Sequence, residues 1–73
     1  MRDARLVHMA NQIAASVPSR ADVPGQVALH LKSFWAPDMI AVLSRHADLH
    51  PEDLSSDVLA ALAILRPVDA PNG

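Results

Sequence analysis

Apolar residues recur along this chain at helical spacing, in blocks separated by prolines. Leu6, Met9, Ile13 and Val17 fall on one stripe with Ala10 and Ala14 beside it, while His8, Asn11, Gln12 and Ala15 take the opposite side. That pattern predicts an amphipathic helix over about 4–17. A second stripe, Val27, Ala28, Leu31, Phe34 and Trp35, predicts a helix over 23–35 with Leu29 on its far side. Asp22 or Val23 is placed to cap it, and Pro24 sits in the first turn, where a missing N–H costs little. Pro37 disfavours an α conformation at Ala36, so the second helix must close at the Phe34-Trp35-Ala36-Pro37 corner and a third open there. The third spans about 37–47, with Met39, Ile40, Val42 and Leu43 inward and Ala41, Ser44 and Arg45 outward. After a loop from Asp48 to Asp53, Leu54 is expected to tuck inward. Ser55 reads as an N-cap and Asp57 sits in a first turn, where a carboxylate meets the positive end of the helix dipole. Val58, Ala61, Leu62 and Leu65 then mark a helix over 55–66.

No alternating segment is long enough for a strand, and no internal repeat or low-complexity stretch is present. The predicted class is all-α: a small bundle of four short helices in a single domain over 1–66, followed by a C-terminal tail over 67–73.

Composition narrows what such a bundle can do. The chain has 73 residues, half of them apolar, but thirteen of these are alanines and the only aromatics are Phe34 and Trp35. The core is therefore thin, and domains of this size usually lean on a disulfide, a metal or a partner surface. The absence of cysteine removes the disulfide, a Cys-based zinc site, an iron–sulfur cluster and a thiol nucleophile. A partner surface remains. The net charge is −2 with basic residues scattered from Arg2 to Arg66, which leaves no footprint for nucleic acid or an anionic membrane. The N-terminal stretch is interrupted by His8, Asn11 and Gln12, unlike a signal peptide, and no apolar run is long enough to span a bilayer, so a cytoplasmic location is expected.

Catalytic and metal chemistry find little support. Of the four histidines, His46 and His50 straddle a helix end, and His30 has no neighbouring carboxylate with chelating spacing, so no metal site is expected. On a helical wheel His46 lies within the third stripe and His30 at the edge of the second, which predicts buried, hydrogen-bonded structural roles for both. The carboxylates cluster at helix starts and loops, where capping explains them, and neither glycine belongs to a phosphate-cradling loop. No catalytic residues and no cofactor-binding residues are assigned in this chain. The remaining signals concern surfaces: Leu29 on a polar side, and Trp35, an amphipathic ring of the kind enriched among interface anchors.

Specific segments point further. Met9-Ala10-Asn11-Gln12-Ile13, Val27-Ala28-Leu29-His30-Leu31, Phe34-Trp35-Ala36-Pro37-Asp38-Met39 and Leu43 to His46, in this order and spacing, resemble the delta subunit of NAD-dependent, molybdenum-containing formate dehydrogenases. The similarity covers roughly residues 5–65. The family pattern carries arginines around the methionine after the proline, where this chain has Asp38 and Ile40, so a basic edge is not carried over. The resemblance implies a non-catalytic accessory subunit of a cytoplasmic complex that oxidises formate to carbon dioxide and passes electrons to NAD. It implies direct binding to the catalytic alpha subunit, with beta and gamma subunits in the same complex, and a role in assembly or stability. Molybdopterin guanine dinucleotide, iron–sulfur clusters and FMN would then belong to the partner subunits. A transient chaperone-like or regulatory module acting during cofactor insertion is the alternative. Asn11 and Gln12 match the family motif on a face that core packing does not require. Together with His8, Leu29 and Trp35 they form the expected partner-binding set.

Overall fold

The computed structural model describes residues 2–66. The expected tail, 67–73, lies outside the described residues. The helices are α1 (Arg2–Ala15), α2 (Val23–Phe34), α3 (Pro37–Leu49) and α4 (Ser56–Leu65), with a single 3₁₀ turn at Pro51–Asp53 leading into α4. No strand occurs among the described residues, and the chain is an all-α bundle as its periodicity predicts.

Each boundary follows from local chemistry. Asp22 caps α2: its Oδ1 accepts from Gly25 N at 3.2 Å while its own backbone sits in the left-handed region at φ 54°. Asp tolerates that region better than most side chains. Ser55 caps α4, its Oγ accepting from Val58 N at 3.3 Å. The corner between α2 and α3 falls where Pro37 requires it, with Ala36 extended at ψ 148°. Pro51 likewise forces His50 out of α3, but later than the 37–47 expectation, so that helix runs on through Asp48 and Leu49, both exposed, before it stops. Conversely α1 stops at Ala15, short of the expected Val17. Pro18 bars Val17 from an α conformation, and the Arg20 guanidinium donates to the freed Ala14 carbonyl at 3.2 Å.

The core is one cluster, and α2 with α4 forms its most extensive pairing. Val27 and Leu31 from α2 meet Val58, Ala61 and Leu62 from α4 there, with Leu43 from α3. Removing a leucine side chain such as Leu31 from water contributes about 2 kcal/mol. Helix α1 lies against α2, α3 and α4 through Leu6, Ala10 and Ala14, spaced four apart. Two of those three are alanines, so the helix backbone can approach closely. Met9, expected inward, is displaced to the edge of the contact and is 38% exposed.

Two further expectations are overturned at the end of α2. Phe34, placed in the inward stripe by its spacing, is 76% exposed, and the following Trp35 is buried. The chain leaves the helix at Trp35 (φ −95°, ψ 143°), so the direction of the indole is set by the cap and not by the helical wheel. Of the two aromatic residues placed in that stripe, Trp35 is the one that is covered. His30, expected buried, is exposed and lies against the Phe34 ring with centroids 4.9 Å apart.

Candidate functional site

The five residues read from the sequence as a partner-binding set do not share one face. His8 and Gln12 are exposed on α1, Leu29 is exposed on α2, Asn11 is half-buried and Trp35 is buried.

Asn11 belongs to a polar junction that ties three helices together. Its Nδ2 donates to the Asp53 carbonyl at 3.0 Å, and its Oδ1 accepts from Ser55 N at 3.0 Å. The same Asp53 accepts on Oδ2 from His46 Nε2 at 2.8 Å, and Ser55 caps α4. One amide from α1 and one imidazole from α3 thus grip the short 3₁₀ turn that launches α4. The expectation that Asn11 lies opposite the core fails because its partners are 42 and 44 residues away, beyond the reach of any local pattern. His46, by contrast, is largely buried and hydrogen-bonded, as its wheel position predicts, with a side chain 15% exposed. His50 lies beside it, ring centroids 5.4 Å apart, and its Nδ1 is 3.4 Å from Glu52 Oε2. No group of three or more His, Asp or Glu residues among the described residues is arranged to hold a metal ion.

Other polar contacts brace the loops. Gln26 Nε2 donates to the Ser19 and Ala21 carbonyls at 2.9 and 2.8 Å. Arg20 reaches Asp57 Oδ2 at 3.5 Å, and Arg66 reaches Asp48 Oδ1 at 2.6 Å. All four of those charged groups are substantially exposed, so each pair contributes under about 1 kcal/mol.

The surface offers two apolar concavities flanking α2. A groove of about 490 Å³ between the end of α1 and the outer side of α2 is lined by Ile13, Val17, Leu29, His30 and Phe34. A larger cleft of about 820 Å³ opens between α2, α3 and α4. Its floor includes Ala28, Trp35 and Leu62, and its rim carries Leu29 and Ile64, which are 66% and 57% exposed. Leu29 and Trp35 of the expected set therefore meet in this cleft, whereas His8 and Asn11 line a separate hollow between α1 and α3. Sequence reasoning missed Phe34 and Ile64 as surface residues. Ile64 had a usable signal, since it lies off the Val58-Ala61-Leu62-Leu65 stripe; Phe34 had none.

No helix among the described residues is long and apolar enough to cross a membrane. No curated protein and no solved structure matches the chain. The family model for the NADH-dependent formate dehydrogenase delta subunit FdsD matches residues 5–62, from the second turn of α1 into α4. That span covers most of the chain and all of the paired core of α2 and α4 except the last turn, so the chain belongs to the formate dehydrogenase delta subunit family.

Proposed function

We propose that this chain is a non-catalytic accessory subunit that binds the catalytic alpha subunit of a cytoplasmic NAD-dependent formate dehydrogenase and supports its assembly or stability. Beta and gamma subunits belong to the same complex in this reading. The observation that carries it is the family match over residues 5–62. Two physical features support a binding role. The core is built largely from alanine, valine and leucine around one buried aromatic ring, which leaves a thin stability margin that a partner surface would widen. The polar side chains with tertiary hydrogen bonds brace helices and loops: Asn11 and His46 hold the 3₁₀ turn, and Gln26 and Arg20 hold the loop between α1 and α2.

The redox groups belong to the partners in this proposal. The donor set of this chain does not fit an iron–sulfur cluster, since it has no thiolate to offer. Its contribution to oxidation of formate to carbon dioxide is therefore assigned to holding the catalytic subunit, with no chemical step in this chain.

The test is co-purification. A tagged chain, produced in cells that make the complete enzyme, is expected to bring down a large molybdenum- and iron-containing protein at one copy per catalytic chain, and to stay bound once activity has appeared. Recovery as a free monomer from those cells refutes the proposal. Association that disappears when activity appears replaces it with the chaperone-like reading.

A further inference from the structure

The cleft between α2, α3 and α4 has a definite chemistry. Among the described residues, the only charged ones lining it are Lys32 and Arg66, in a chain whose net charge is −2. Arg66 is engaged by Asp48 at 2.6 Å, whereas Lys32 makes no ion pair among the described residues. No carboxylate occurs between Asp22 and Asp38, so the whole of α2 is free of negative charge. Trp35 is 93% removed from solvent, and its indole N–H, a donor with no acceptor function, finds no hydrogen-bond partner among the described residues. Buried donors of that kind normally have a partner. Around these donors the surface is apolar, with Leu29 and Ile64 standing well out of the rim. Small residues, Gly25, Ala28 and Ala41, leave room for a close backbone approach between the helices.

We infer that this cleft receives an amphipathic helix from another subunit of the complex, one that presents apolar anchors together with a carboxylate. The apolar anchors pack between Leu29 and Ile64, and the carboxylate meets Lys32 at the cleft edge. Apolar contact supplies most of the affinity, while the Lys32 cation fixes orientation and disfavours basic partners. The groove between α1 and α2 is not chosen because its lining contains no charged residue among the described ones and so does not define what would fill it. This inference rests on the proposed subunit role but concerns a separate question, namely which face docks and what chemistry it meets.

The experiment uses the full chain in cells that make the complete enzyme. Leu29→Glu places a charge among the apolar anchors and Lys32→Glu reverses the orienting cation. Both positions are exposed, so circular dichroism of each variant is expected to match that of the unaltered chain. Association with the complex is expected to fall roughly ten-fold or more for Leu29→Glu, as for loss of an interface anchor, and to fall for Lys32→Glu with a weaker dependence on salt. Phe34→Glu, in the groove between α1 and α2, is expected to co-purify like the unaltered chain. A photo-cross-linker at position 29 is expected to capture a segment of another subunit that combines apolar and acidic residues. The inference is overturned if folded Leu29→Glu and Lys32→Glu variants both associate normally. Capture of a second copy of this chain, or of its own residues 67–73, overturns it equally. Failure of the unaltered chain to co-purify instead overturns the subunit proposal, so the two failures are distinguishable.

Discussion

Replacing Asn11 by alanine tests whether this residue is a structural clamp or a docking group. The substitution removes two hydrogen bonds, to the Asp53 carbonyl and the Ser55 amide, both at 3.0 Å. At about 0.5–1.5 kcal/mol net for each bond, the gross loss is about 1–3 kcal/mol. Alanine is a better helix former than asparagine by roughly 0.6 kcal/mol, which offsets part of it. Water replaces part more, because the junction is only half-buried. The net destabilisation is about 1–2 kcal/mol, which for a domain of this size lowers Tm by about 4–16 °C. Thermal and urea unfolding of the isolated full-length chain, followed by far-UV circular dichroism, measures it. Gln12→Ala is the matched control. Gln12 is exposed and has no tertiary hydrogen bond among the described residues, so its smaller gain in helix propensity should leave that variant unchanged or slightly more stable. The opposite signs of the two neighbouring substitutions are the distinguishing result. An Asn11→Ala protein that melts at or above the unaltered chain would refute the clamp. A cycle with His46→Ala extends the test, because both side chains hold Asp53; a coupling of about 0.5 kcal/mol or more is expected between them.

Other substitutions probe the helix ends and the core. Ser55→Ala removes the N-cap of α4 and is expected to cost about 1 kcal/mol in the same unfolding assay. Gly25→Ala, which would stabilise an ordinary helix by up to about 1 kcal/mol, should instead destabilise here. The new Cβ would lie 2.7 Å from Asp22 Cγ and drive the capping carboxylate away; in an Asp22→Gly background the sign should reverse. Leu31→Ala, at a fully buried site, is expected to cost about 2–5 kcal/mol and leave so small a domain largely unfolded at 37 °C. Phe34→Ala, despite deleting an aromatic ring, should stay within about 0.5 kcal/mol because the ring is mostly in solvent.

The helical class, the corner at Pro37 and the cap at Ser55 were determined by the sequence itself, which left the cap of α2 between Asp22 and Val23. Proline geometry, side-chain capping and a stripe repeating every three to four residues all act within one or two turns of chain, so their signatures are local. The burial of Val27, Leu31, Leu43, Val58 and Leu62 was legible for the same reason: each lies near the centre of its stripe. The edges of the stripes were decided by the tertiary structure. Whether Met9, His30, Phe34 or Trp35 is covered depends on where a neighbouring helix stops and how the chain turns, and the periodicity of one helix holds no record of its neighbours. The candidate site follows the same division. Leu29 could be read as exposed from its own helix, but the cleft it borders exists only because α2, α3 and α4 converge there. Asn11 shows the limit most plainly: its motif and helical position suggested a surface, and only folding brings it to Asp53 and Ser55, more than forty residues along the chain, as the group that fixes the start of α4.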